Sequence, residues 1–379
     1  MKHDIIFIAD EPWEFTWRRR HHIAWRLADN HRVFFIEPPD PNNREMVRVM
    51  QRKDNLYTVS LRKLFPDAII RAKLDISWLN QLIARKMLRD SLKSFDLDRP
   101  ILWVNFSTFQ YDYYGLFNEK LIIADWYDKF TAPTWENVPR KYINFVKRRE
   151  DVLLRRADIV FAVSTPLVSE LAIRNAHVYR IPNGVDMESF SQGIDADALA
   201  GIGRPRIGFL GMLHYKVDFD LLNYIATYHP EWNIILIGKK NIRVENDKKL
   251  FDLLRQKKNV HIVGEISREM IPVYLDAIDI GIVPLKKIEM NRFANYLKIW
   301  EYLAAGKPIV AIDQGASSDC DHLINKVNTY DEFVGAIEKI LANKESSEKV
   351  AARKDFAREN SWGKRVEKMM EIIEAKIKG

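Results

Sequence analysis

Cysteine is nearly absent from this chain. Cys320 is the only one among 379 residues, which excludes an internal disulfide and a thiolate-based metal site. Long hydrophobic runs are missing as well. The amino terminus runs only from Ile5 to Ala9 before it meets Asp10 and Glu11, too short for the apolar region of a signal peptide and far below the ~20 residues that span a bilayer. The expectation is a protein neither secreted nor integral to a membrane, in keeping with a reducing cytoplasm. No dinucleotide G-x-G-x-x-G follows that first run, where Ala9-Asp10-Glu11-Pro12-Trp13 stands instead, and no P-loop G-x-x-x-x-G-K-[ST] occurs anywhere. Dehydrogenase and kinase-type NTPase readings therefore lose their main support.

What the chain does have is the composition of an ordered protein, 47% hydrophobic and 29% charged, and a length that suits two domains at ~100 to 200 residues each. The net charge of +7 is unevenly placed: residues 1–180 carry 30 Lys+Arg against 23 Asp+Glu, while residues 181–379 carry 29 of each. Residues 44–93 alone hold 12 basic and 5 acidic side chains, interleaved with Phe65, Ile69, Ile70, Leu74, Trp78, Leu79, Leu82, Ile83, Met87 and Leu88. Basic charge mixed with apolar residues at helical spacing suits a helix lying on an anionic membrane surface, with Arg71, Lys73, Arg85 and Lys86 as its cations. A solvated basic helix with an ordinary core stripe explains the pattern equally well. Nucleic acid is not expected as a partner, because no recognised motif accompanies the charge.

Short runs of Ile, Val and Phe alternate with longer amphipathic stretches, the pattern of parallel sheets covered by helices on both faces. In the first half the strand candidates are 4–8, 33–36, 101–104, 121–124, 159–163 and 178–181; in the second they are 207–210, 234–237, 260–263, 280–283 and 309–312. This predicts an α/β protein of two Rossmann-like, doubly wound domains: residues 1–182, a linker over 183–205, and residues 206–360. A final helix over 361–379, capped by Ser361, is expected to pack back across the first domain. Gly211, Gly238 and Gly264 each directly follow a strand of the second set, with Pro284 at the fourth. Ligands of open parallel sheets bind outside the strands' carboxyl ends, where glycine lets backbone amides approach a phosphate. The second half is thus the expected nucleotide site.

The most specific stretch is Asn291-Arg-Phe-Ala-Asn295-Tyr-Leu-Lys298-Ile-Trp-Glu301-Tyr-Leu-Ala-Ala-Gly306-Lys-Pro-Ile-Val310. On a helix starting near Ala294, Asn295, Lys298 and Glu301 fall roughly along one face. A diphosphate needs a cation and helix-end amides, and a ribose diol needs a carboxylate. Lys298 and Glu301 supply that pair; an exposed Lys–Glu pair on a surface helix is the competing structural explanation.

Together with Ile181-Pro-Asn-Gly-Val-Asp186, Asn259-Val-His-Ile-Val-Gly-Glu265 and Tyr274-Leu-Asp-Ala-Ile-Asp279-Ile-Gly-Ile-Val-Pro284, this stretch resembles the donor-binding half of GT-B glycosyltransferases. It is similar above all to the family 4 group that builds bacterial envelope polysaccharides, with a further likeness to the xanthan-pathway glucuronosyltransferase. The resemblance implies two domains, a sugar-nucleotide donor on the carboxyl-terminal one, an acceptor on the amino-terminal one, no cofactor and no metal. Residue by residue, it implies that Gly211 and Met212 lie beneath the diphosphate and donor sugar, that Lys298 and Lys216 contact the phosphates, that Glu301 holds the ribose, and that Glu265 lies near the base or ribose; Gly238, at its strand end, and Asn295, on the face of Lys298 and Glu301, are the further donor-site candidates. The pattern departs at two points: Phe293 stands where the first acid of the family's E-x7-E motif is expected, and the Arg that normally accompanies the lysine at the place of Lys216 is missing.

In the first half Leu121-Ile-Ile-Ala-Asp125-Trp-Tyr-Asp128-Lys resembles the Y-D-x-x-D segment of some GT-B enzymes. Asp128 or Asp125 past a strand end could take the acceptor hydroxyl proton, a role favoured by a pKa raised toward neutrality; helix capping is the plainer alternative. In Trp17-Arg18-Arg19-Arg20-His21-His22, Arg19 and Arg20 could hold an acceptor phosphate and His21 could move a proton. The expected activity is glycosyl transfer from a nucleoside-diphosphate sugar, UDP-linked, to a lipid-linked or polysaccharide acceptor at the inner face of the cell membrane. A sugar-nucleotide epimerase and a silent sugar-nucleotide-binding protein stand as alternatives.

Overall fold

The computed structural model describes residues 2–65, 77–106, 112–132, 140–191, 197–315, 319–343 and 345–379. The first half builds an eight-stranded sheet from β1 (Asp4–Ile8), β2 (Arg32–Ile36), β3 (Val47–Lys53), β4 (Leu56–Leu61), β5 (Ile101–Asn105), β6 (Leu121–Trp126), β7 (Ile159–Ala162) and β8 (Val178–Arg180), in the order β3-β4-β2-β1-β5-β6-β7-β8. The second half builds a six-stranded sheet from β9 (Arg206–Leu210), β10 (Asn233–Ile237), β11 (Val260–Gly264), β12 (Ile280–Val283), β13 (Ile309–Ile312) and β14 (Asn325–Val327), in the order β11-β10-β9-β12-β13-β14. Every described pairing between these strands is parallel except β3 with β4. Helices cover both faces, so the strands are apolar on both sides: Ile5, Ile6 and Phe7 in β1 and Ile234 to Ile237 in β10 are fully buried. The winding reverses between β1 and β5 and between β9 and β12, which opens a crevice at the carboxyl ends of each sheet.

The basic stretch 44–93 is not one amphipathic helix. Its first part is the antiparallel hairpin β3–β4, turned at Asp54-Asn55. Asp and Asn are common turn residues, and Leu56-Tyr-Thr-Val-Ser-Leu61 is rich in the β-branched and aromatic residues that pack on a pleated surface. The cations of β3 serve an exposed edge strand, where charge deters pairing with another chain. The helix Ser77–Leu92 follows, with Ala84, Leu88 and Leu92 in the core but Trp78 and Leu82 exposed. Ile69, Ile70, Arg71, Lys73 and Leu74 lie outside the described residues.

The helix Trp362–Lys378 belongs to the first half's core although it ends the chain. Ser361 Oγ accepts from the Lys364 amide as its cap, and Trp362, Val366, Met369 and Ile373 pack with Ile5, Phe7, Ile23, Leu27 and Ile181. Burying four such side chains is worth ~1.5 to 3 kcal/mol each. The return crossing is tight: a Cβ on Gly184 would lie 2.8 Å from the Asn360 carbonyl oxygen. The two halves are therefore held in register by the chain passing between them twice.

Candidate active site

Between the carboxyl ends of the two sheets lies a cleft of about 370 Å³. Gly211, Met212, Lys216, Gly238, Glu265, Asn295, Lys298 and Glu301 all line it from the second half, and Arg19, Arg20 and Asp128 line it from the first. The structure thus gathers the eight donor-site candidates in one place. Glycine is required twice here. Gly211 and Gly238 have φ of +137° and +141°, a region L side chains rarely enter. A Cβ on Gly211 would lie 2.9 Å from Lys298 Nζ, and one on Gly238 would collide with the Gly211 carbonyl. The two strand ends close on each other, and the lysine passes beneath them.

Lys298 and Glu301 stand one turn apart on the helix Leu297–Ala304. Both are walled in by protein yet open to the cleft's own space. The Lys298 ammonium lies 4.2 Å from the Phe209 ring centre, and neither side chain has an ion pair or hydrogen bond among the described residues. Desolvation drives Lys298 down to about 7, with Lys216 pushing the same way and Glu301 opposing. It drives Glu301 up to about 7 against the pull of Lys298 and Arg268. A buried cation without a partner is electrostatically incomplete, and an incoming anion completes it. His214, which the sequence reading did not single out, is pushed down to about 3 by burial, Lys298 and Lys216, so it stays neutral in the cleft. Its place four residues after the strand β9 was a readable signal.

Lys216 behaves differently. Its Nζ reaches across the cleft to Asp128 Oδ2 at 3.0 Å, and the other Asp128 oxygen accepts from the Lys129 amide at 2.9 Å. Asp128 is the one carboxylate of the proposed acid–base candidates that faces the cleft.

The other first-half candidates are engaged elsewhere. Asp125 is completely buried within β6, where Arg19 grips it with Nε at 2.9 Å and Nη2 at 2.8 Å; Arg19 Nη1 also donates to the Ile181 carbonyl at 3.0 Å. This pair ties the start of the helix Arg19–Leu27 to the interdomain crossing, and no acceptor hydroxyl can reach the carboxylate. Arg20 is buried against Asp10 at 2.9 Å and against Glu11, and Tyr127 also bonds Asp10. Neither arginine offers a free cation to an acceptor phosphate or to a membrane. His21 is fully buried among Trp13, Trp17 and Phe35, accepts from the Arg18 amide, and is pushed down to about 3 by burial. It is a core histidine and not a proton carrier. Of the surface candidates, Arg85 donates to the carbonyls of Asp112 and Tyr114 and Lys86 is exposed, while Arg71 and Lys73 lie outside the described residues.

At the seam between the halves, Asn295 and Phe293 both depart from the sequence expectation. The helix begins at Leu297 and not near Ala294, so Asn295 precedes it; its Oδ1 accepts from the Asn183 amide and from Trp300 Nε1, both at 2.9 Å. Asn295 is thereby committed to the crossing as much as to the cleft. Phe293, at the position of the expected acid, packs into the first half's core, its carbonyl accepts from Ser164 Oγ at 2.6 Å, and the Lys129 ammonium sits 4.3 Å from its ring centre. An apolar anchor has replaced a polar contact. A second recess of about 270 Å³ adjoins the cleft through Trp17, Glu265, Ile266, Leu297 and Glu301. There Trp17 of the first half stacks 4.3 Å from the Arg268 guanidinium of the second, a pairing with no sequence signal because 251 positions separate the two.

Residues 204–343 match the family described as Glycosyl transferases group 1. Over 286 residues the chain is 29% identical to TuaH of Bacillus subtilis (strain 168), a protein assigned to teichuronic acid biosynthesis as a glycosyltransferase; the match covers 70% of this chain and 69% of that one. Among solved structures, sucrose-phosphate synthase from Thermosynechococcus elongatus superposes with a TM-score of 0.75 at 16% identity, covering 98% of both chains. The catalytic domain of starch synthase IV from Arabidopsis thaliana, bound to ADP and acarbose, gives 0.66 at 13% identity, covering 100% of this chain and 99% of that one. The two facing α/β domains are the GT-B fold. The family match and the Bacillus relative support a glycosyltransferase of the GT-B type.

Proposed function

We propose that the chain transfers a glycosyl group from a nucleoside-diphosphate sugar, UDP-linked, to a lipid-linked or polysaccharide acceptor in cell-envelope polysaccharide synthesis. One observation carries the donor half of this reading: an unpartnered lysine, Lys298, lies beneath the Gly211 loop with Glu301 one turn away. In the reaction the bond from the sugar's anomeric carbon to the diphosphate oxygen breaks, its electron pair leaves with the diphosphate, and the acceptor oxygen bonds to that carbon while losing its proton. Lys298, the amides after β9 and the amino end of the helix Leu297–Ala304 stabilise the leaving charge. Glu301 accepts from the ribose hydroxyls. Asp128 takes the acceptor proton. The site's own cations serve the diphosphate, so the reaction is proposed to need no metal, and turnover should survive EDTA.

The relative TuaH, assigned to teichuronic acid biosynthesis, supports the acceptor class. The membrane part of the proposal rests on the first half. Helices that cross between parallel strands run antiparallel to them, so Ser77–Leu92 and Arg140–Arg156 both begin at the edge where the cleft opens. Exposed Trp78, Leu82 and Phe145 sit in or near those first turns, with Lys86, Arg89, Lys141, Lys147 and Arg148 exposed along the same helices. That combination suits an anionic surface from which a lipid-linked acceptor would reach the cleft. No described helix is long and apolar enough to cross a membrane.

A thermal-shift screen of nucleotide sugars tests the donor assignment. A true donor at 100 times its dissociation constant stabilises the fold by ~2.7 kcal/mol; a flat screen across UDP-, GDP- and ADP-sugars removes it.

A further inference from the structure

Lys216 and Lys298 line one cleft from the same half, yet only Lys216 has a partner, and that partner belongs to the opposite half. Its backbone is fixed: Lys216 carbonyl oxygen accepts from the Lys286 amide at 2.9 Å, and the Leu213 amide donates to the Lys239 carbonyl at 2.9 Å. The four-carbon side chain beyond that anchor is a flexible carrier of a point charge. Lys216 lines the same cleft as Gly211, His214 and Lys298, and its charge opposes protonation of both Lys298 and His214.

We propose that Lys216 is a positioning residue with two alternative partners, Asp128 and the donor diphosphate, and that the diphosphate displaces Asp128. This rests on the donor reading given above. A diphosphate offers more charge and more acceptor oxygens than one carboxylate, and charge-assisted bonds to phosphate are among the strong ones. Asp128 stays behind on the first half, held by the Lys129 amide. The oxygen that the ammonium covered is then open to an acceptor hydroxyl. Donor binding thus uncovers the acceptor-side carboxylate, which imposes an order of donor first and acceptor second. Two sites on different domains become coupled through one side chain, with no need for a rigid-body movement.

The test is calorimetric binding of UDP, with ADP and GDP in parallel, to the parent chain, Asp128→Asn, Lys216→Met and the double variant. Removing the competing carboxylate should tighten the nucleotide by about fivefold, the equivalent of an ion pair worth ~1 kcal/mol. Lys216→Met should weaken it by about tenfold or more. In the Lys216→Met background, Asp128→Asn should change nothing further. A structural defect weakens binding, so tightening is a readout that damage does not mimic. Unchanged or weaker binding in Asp128→Asn, or equal tightening in both backgrounds, overturns the exchange while leaving the donor site intact. A parent chain that binds none of the three nucleotides overturns the donor reading itself.

Discussion

On the second-half wall of the cleft, Lys298 and Glu301 have no ion pair or hydrogen bond among the described residues and both are shifted to about 7. On the first-half wall, Arg19 and Arg20 are buried and matched charge to charge, Arg19 by Asp125 behind the wall and Arg20 by Asp10. The first half carries the whole excess of positive charge and the second carries none, yet Lys298, the cleft lysine without an ion pair among the described residues, belongs to the neutral half. Charge count locates where a domain is basic; only pairing tells which charges are available to a ligand.

The contrast can be broken most forcefully at the carboxylates. Asp128→Asn should lower turnover by ~10²- to 10⁴-fold, the usual contribution of a positioned proton acceptor, with nucleotide affinity undiminished. Asp125→Asn should instead destabilise the fold by ~3 to 5 kcal/mol in urea unfolding, because it leaves Arg19 charged and buried without its partner. Full stability with lost turnover in Asp125→Asn would reverse the roles assigned to the two acids.

Lys298→Ala should weaken UDP-sugar binding by ~1.5 to 3 kcal/mol and leave the unfolding midpoint unchanged or raised, since a desolvated cation is removed. Unaltered affinity in calorimetry takes Lys298 out of the site. Glu301→Gln should lose less, as the amide still accepts one ribose hydrogen bond. The pair also sets a pH dependence. Diphosphate stabilises charged Lys298, so affinity falls as pH rises above about 7, where the free lysine loses its proton. It falls again below about 7, where Glu301 becomes protonated. The two groups interact, so the limbs belong to the pair. UDP titrations across pH should show a maximum near neutrality, and Lys298→Arg should flatten the alkaline limb because guanidinium keeps its charge.

The smallest effects belong to the outer surface. Neutralising Lys86, Arg89, Lys147 or Arg148 one at a time should each weaken binding to anionic vesicles by ~1 kcal/mol, and high salt should do the same by screening. Arg85→Gln should instead act on stability, given its bonds to two backbone carbonyls. Co-sedimentation at low and high salt decides it: a parent chain that never binds anionic vesicles reduces these cations to a solvated face.

The sequence by itself determined the alternation of apolar runs and helices, because strands buried on both faces must be apolar throughout. That is why 4–8, 280–283 and 309–312 were legible to the residue. It determined the glycines after β9 and β10, since strand ends that close on each other exclude a side chain. The hairpin β3–β4 was not legible, because the basic charge that suggested a helix lies on an edge strand whose other faces only the sheet reveals. Asp125 and Asp128 are three positions apart in one motif, and nothing local separates them; Arg19, more than a hundred positions away, neutralises one, and Lys216, from the other half, reaches the other. Availability of a charge depends on what lies within a few ångströms, and those neighbours come from distant parts of the chain. Only the tertiary structure could decide which of these charged groups holds the fold together and which faces the cleft.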